Sequence, residues 1–167
     1  MRNTALLLLM LCMPAHSQSL GVGTQPTAQM LQAWDIDIRP DGAGLPGGRG
    51  SVSDGREVYV KRCLACHGVN GEGGPQDRLV GGRGTLTTKA PVKTIGSFWP
   101  YATTLFDYVR RAMPFDAPQT LSNEDVYAVV AYLLHLNEIV AGEAVMDANT
   151  LSKVVMPNQH GFFPSEQ

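Results

Sequence analysis

Residues 61–74 read KRCLACHGVNGEGG. Two of the three cysteines in this 167-residue chain, and one of its four histidines, fall within five positions, Cys63 to His67. Seven glycines then stand between Gly68 and Gly84, at 68, 71, 73, 74, 81, 82 and 84. So glycine-rich a stretch is neither regular helix nor regular strand, and it needs something to wrap around.

The compartment narrows what the cysteines can be. Arg2, the short apolar run ALLLLMLCM (Ala5 to Met13) and the small residues of AHS (Ala15 to Ser17) form the pattern of a cleaved signal peptide over 1–17. The run is too short to span a bilayer. The alternatives are a buried N-terminal helix, or a lipid anchor at Cys12, which the bulky Leu11 disfavours. Cleavage near Ser17 removes Cys12 and leaves only Cys63 and Cys66. The expected location is the periplasm, an oxidising compartment, where paired thiols become a disulfide unless a redox role, a metal or a cofactor claims them. No second apolar run follows, so no membrane span is expected after cleavage. A formal net charge of -2 offers no basic footprint for nucleic acid. The content of 44% hydrophobic and 17% charged residues is that of one globular domain, and 18 glycines with 11 prolines demand long loops.

Around the motif the pattern is helical. TAQMLQAWD predicts a short helix capped by Thr27. RPDGAGLPGGRGS (Arg39 to Ser51) reads as a linker, and the domain boundary is placed there. Ser53 or Asp54 is expected to cap a helix that delivers Cys63 at its end. A second helix is predicted over Ala102 to Ala112, preceded by Pro100 and ended by Pro114. A third follows the cap Ser122, with Glu124 and Asp125 at its positive end and Val126, Val129, Val130, Leu133 and Leu134 on one face. No stretch alternates as a strand does. The division is 1–17 signal peptide, 18–51 N-terminal extension, 52–140 the main domain and 141–167 an irregular C-terminal strap.

CLACH is the attachment pattern for c-type haem. Two thiols with two residues between them match the span between the two haem vinyl groups, and the next residue supplies the proximal nitrogen. A Cys63–Cys66 disulfide or a thioredoxin-like dithiol leaves His67 idle, and the dithiol lacks its βαβ setting. Zinc lacks a fourth ligand. Haem also explains how so glycine-rich a domain completes a core. The cofactor expected is therefore one haem c. Met113, in RRAMPFDAP, is the best-placed distal ligand: it ends a helix just before Pro114, and a thioether favours ferrous iron. Met30, Met146, Met156, His135 and His160 are weaker candidates. The backbone carbonyl near Pro75 is expected to accept from the His67 ring. Trp99, Tyr101, Arg110 and Arg111 are candidate propionate donors.

GREVYVKRCLACHGVNGEGGP, then MP, then LSNEDVYAVVAYLLHLN, resembles a class I c-type cytochrome from about Val52 to Val140. The resemblance implies an all-α cytochrome c fold, three to four short helices around one covalently bound haem, with long Gly/Pro-rich loops. It carries haem attachment onto Cys63 and Cys66, proximal ligation onto His67 and distal ligation onto Met113. It also sets Gly55 and Tyr59 against Tyr132 and Leu133. WDIDIRPDGAGLPGGRGS, GSFWPYATTLFDYVRRAMPFDAPQTLS and VMDANTLSKVVMPN are similar to the SoxD-like cytochrome subunit of sulfane or sulfite dehydrogenase. That likeness implies a molybdenum dehydrogenase subunit as electron donor, and a downstream cytochrome c or terminal oxidase as acceptor. The expected function is one-electron transfer in sulfur oxidation, as a relay rather than a catalyst alone. The rivals are a cytochrome serving another dehydrogenase, a haem sensor or peroxidase with an open iron site, and a thiol oxidoreductase.

Overall fold

The computed structural model describes residues 21–163. The segment read as a signal peptide lies outside them. The chain divides by packing into two units, ending at Asp35 and beginning at Ile36. In the first, helix α1 (Ala28–Trp34) is capped as expected by Thr27, whose hydroxyl accepts from the Met30 amide. None of its residues is buried.

The second unit holds β1 (Arg49–Ser51), α2 (Val52–Arg62), α3 (Leu64–His67), α4 (Ala102–Ala112), α5 (Asn123–Leu136), β2 (Val145–Asp147) and α6 (Ala148–Leu151). Helices dominate, as the sequence implied, but six occur among the described residues rather than three or four. Two of them, α3 and α6, are four-residue turns too short to show a period.

The cap of α2 is Ser51, not Ser53 or Asp54. Ser51 is extended (φ -91°, ψ 163°), its Oγ accepts from the Asp54 amide, and the Asp54 carboxylate returns the bond to the Ser51 amide. Asp54 thus serves as the far half of a capping box. Helices α4 and α5 keep the bounds read from the sequence, with Ser122 capping α5. Helix α5 is the centre of the core: every residue from Val126 to Leu134 is buried.

Helix α2 crosses α5 at a glycine. A Cβ on Gly55 would lie 1.9 Å from the Ala128 carbonyl oxygen and 2.8 Å from the Tyr132 Cβ. One turn on, the Tyr59 and Tyr132 rings pack at 5.4 Å. Helix α4 meets α5 through Phe106 and Tyr127, whose ring centroids are 4.4 Å apart.

Two expectations are corrected. First, a strand pair exists: Arg49, Gly50 and Ser51 pair antiparallel with Asp147, Met146 and Val145. Three-residue strands are too short for alternation to show. Second, the tail is not irregular: β2 leads into α6, capped by Asp147, and Leu151, Met146 and Met156 are buried. The two methionines therefore fill the core. Ile38 is buried there too, so residues 36–51 pack with the main domain rather than ahead of it.

Gly55→Ala adds about 1 kcal/mol of helix propensity but drives a methyl into a backbone carbonyl, an overpacking cost of about 3 kcal/mol or more. A net loss of about 2 kcal/mol is expected in urea denaturation of the variant. Acid titration tests the capping box. Hydrogen bonds from the Ser51 side chain and amide hold the Asp54 carboxyl below its ordinary pKa of 3.8. Its stabilising contribution is complete above that pH and lost as pH falls below it. Asp54→Asn should flatten the dependence of thermal stability on pH in that acid range and leave it unchanged near neutrality.

Candidate functional site

Helix α2 ends at Cys63, whose amide donates to the Tyr59 carbonyl. The chain continues as the single turn α3, in which the amides of Cys66 and His67 both donate to the Cys63 carbonyl at 3.1 and 3.0 Å. That turn gathers both sulfurs and the imidazole, Cys63 half-buried and Cys66 exposed. The Tyr59 hydroxyl, buried beneath, donates to the Gly68 carbonyl at 2.7 Å and ties α2 to the residue after the histidine.

Both cysteines are free thiols. Burial, with Cys66 adding and Arg62 opposing, pushes the Cys63 thiol up to about 11. A working redox dithiol depends on a lowered thiolate pKa, so the environment of Cys63 opposes that chemistry.

The loop after α3 curls back over it. Gly73 donates to the His67 carbonyl, Gln76 to the Cys66 carbonyl and Gly74 to the Gln76 carbonyl. Gly68, at φ +83°, makes the first bend, where a Cβ would lie 2.6 Å from the Gly73 carbonyl oxygen. The loop places the Asp77 carbonyl 2.8 Å from His67 Nδ1. A carbonyl only accepts, so Nδ1 carries the proton and Nε2 keeps its lone pair. The acceptor was expected to be a backbone carbonyl near Pro75, and the one that reaches the ring belongs to Asp77, two residues further on.

Asn137, at the C-terminal end of α5, anchors the next part of the loop. It is 6% exposed. Its Nδ2 donates to the Leu79 and Leu133 carbonyls, its Oδ1 accepts from the Gly81 amide, and Arg83 Nη2 donates to its backbone oxygen. Thr94 Oγ1 donates to the Gly81 carbonyl. The sequence reading missed Asn137; a lone amide closing a long apolar helix was the available signal.

The other candidates are placed separately. Met113 is the C-cap of α4, half-buried, its amide donating to the Val109 carbonyl. Trp99 packs edge-on to Tyr108 of α4, centroids 5.5 Å apart. Tyr101 is the N-cap residue of α4. Arg111 is held by Asp107 and Asp37. Arg110 stands near Tyr127, whose hydroxyl is raised in pKa by burial and by Asp147, with Arg110 opposing. No hydrogen bond among the described residues joins either arginine to the Cys63–His67 turn. Met30 and His160 are exposed, and His135 Nδ1 lies 3.2 Å from the Val140 carbonyl.

Cys63, Leu64, Leu79, Trp99 and Met113 are all half-buried against one core. Two unpaired thiols and an imidazole with a committed Nδ1 form the donor set that a covalently attached haem requires, and the half-buried side chains on the same core are apolar, as its faces require. The residues fit that group.

The comparisons agree. The cytochrome c family model matches residues 52–137, and the chain belongs to that family, whose members carry electrons on covalently bound haem c. A chain in the crystal structure of the sulfane dehydrogenase SoxCD from Paracoccus pantotrophus aligns with a TM-score of 0.83 and 44% identity, over 89% of this chain and 73% of that one. The likeness to SoxD read from the sequence accords with this match. No curated protein matches.

Asn137→Ala removes three side-chain hydrogen bonds, to the Gly81 amide and to the Leu79 and Leu133 carbonyls, at about 1 kcal/mol each; the Leu79 carbonyl keeps the Ile95 amide as a donor, whereas the Gly81 amide loses its partner. Chemical denaturation should show a loss of at least ~2 kcal/mol, and hydrogen exchange at the Gly81 amide should accelerate beyond what that global loss explains.

Proposed function

We propose that this protein is a periplasmic monohaem cytochrome that passes single electrons from a molybdenum-containing sulfane or sulfite dehydrogenase subunit to a downstream cytochrome c or terminal oxidase. The observation that carries this reading is the reach of the likeness to the SoxCD chain. It takes in 89% of the sequence, well beyond residues 52–137, so the flanking segments share in it and not only the haem-attachment domain. The leader pattern over 1–17 supports export.

Bound haem supplies an iron that exchanges one electron between ferric and ferrous states. The chain's own residues set how. Cys63 and Cys66 would hold the group covalently, so that it would not leave with the electron. The hydrogen bond to the Asp77 carbonyl fixes the His67 ring and its tautomer. Met113 would offer its thioether to the iron, which would raise the potential. With His67 and Met113 both given to the iron, the protein would serve as a relay.

Mixing the oxidised protein with the molybdenum subunit and its sulfur substrate is the direct test. One electron is expected per chain, at a rate that depends on the subunit's concentration; no reduction overturns the assignment of the donor. The mass of the exported protein should equal the mature polypeptide plus one haem, and a bare-polypeptide mass overturns the site. Met113→Ala should remove the thioether-to-iron absorption of the ferric protein and lower its potential.

A further inference from the structure

Helix α4 is flanked by a piece of chain from outside the family's matched span. The segment 37–45 is a tight loop: Arg39 donates to the Ala43 carbonyl, Gly42 to the Arg39 carbonyl and Leu45 to the Gly42 carbonyl. Gly44 runs so close to this segment that a Cβ there would sit 2.0 Å from the Asp37 carbonyl oxygen. Ile38 is sunk in the core. Asp37 is therefore a fixed point rather than a waving surface residue.

The segment touches α4 at both ends. Near the N-terminus of the helix, Thr103 Oγ1 donates to the Pro40 carbonyl at 3.1 Å. Near its C-terminus, Arg111 Nη2 donates to Asp37 Oδ1, and Arg111 Nε donates to Asp107 Oδ1 at 2.8 Å. Thr103 and Arg111 stand about 12 Å apart along the helix axis, at 1.5 Å per residue. The segment is thus a splint along α4, and its charged end grips the last turn. Two residues after Arg111 comes Met113.

We infer that the Asp37–Arg111–Asp107 cluster is a positioning device for the distal ligand. The splint fixes the last turn of α4, and that turn fixes where the Met113 thioether is presented. This inference rests on Met113 being a ligand. Asp37 and Arg111 act through the last turn of α4 and are positioning residues. Arg111, read from the sequence as a propionate donor, is instead spent on two carboxylates.

The energetics select the readout. The Asp37 side chain is 75% exposed and that of Arg111 33%. Ion pairs so exposed add little to global stability. A pair that holds one turn against a second piece of chain acts instead on the competition between that turn's side chain and an outside ligand.

The test uses exported, haem-loaded protein titrated with imidazole, followed by loss of the thioether-to-iron absorption of the ferric state. Asp37→Asn and Arg111→Gln should each raise the apparent imidazole affinity about threefold, with a thermal midpoint little changed. Asp37→Glu, which keeps the charge, should stay near the wild type. Met113→Ala is the reference: its absorption should be absent from the start. Unchanged imidazole affinity in Asp37→Asn, with the absorption lost in Met113→Ala, overturns the positioning role and leaves the distal ligand intact. A lowered thermal midpoint with unchanged imidazole affinity also overturns it, since the pair is then only structural. If Met113→Ala keeps the absorption, the distal assignment falls and the positioning role falls with it.

Discussion

Helix α2 reaches α5 only because Gly55 carries no side chain. The Ala128 carbonyl occupies the space where any Cβ would stand, so the two helices touch backbone to backbone. Everything at the site hangs from that crossing. It fixes the axis of α2, and hence the position of Cys63 at its end. Tyr59, one turn past the glycine, lies against Tyr132 and reaches the Gly68 carbonyl with its hydroxyl. The Cys63–His67 turn is thereby pinned from below. The next loop is pinned from the far end of the same helix by Asn137. One long apolar helix thus holds both the attachment turn and the loop that orients its histidine.

What the sequence revealed follows from where the information lies. The bounds of α4 and α5 are set by prolines, a serine cap and a dense apolar face, all local and all visible. The attachment turn is a spacing rule and needs no tertiary context. The crossing at Gly55, Tyr59 and Tyr132 was legible through family resemblance, although Ala128, the atom group in closest approach, was not. The N-cap of α2 was misplaced because S-V-S-D offers three capping residues in four positions, and only the observed backbone dihedrals choose Ser51. The acceptor for His67 was legible only as some carbonyl near Pro75, because a backbone carbonyl has no side-chain signature and the path of a glycine-rich loop decides which one arrives. Asp37 and Arg111 lie far apart in the chain, beyond any periodic pattern.

The glycine-rich loop also refines a simple expectation. Read alone, it required a large group to wrap around. The structure shows that much of its path is set by the polypeptide: Leu79 and Val80 both donate to the Gly71 carbonyl, and Thr94 and Asn137 hold the Gly81 peptide from either side. Leu64, Leu79, Trp99 and Met113 stand half-buried against the same core, apolar side chains of the kind that a flat macrocycle packs against.

The short ladder between residues 49–51 and 145–147 places the strand that leads into α2 directly beside the strand that follows α5. Neighbouring strands lie about 5 Å apart, so the two ends of the stretch 49–147, which carries α2 to α5, meet side by side. A clasp of this kind closes the helices that bear the attachment turn into a ring, while the buried Ile38 before it and Leu151 and Met156 after it fasten both flanking segments to the same core.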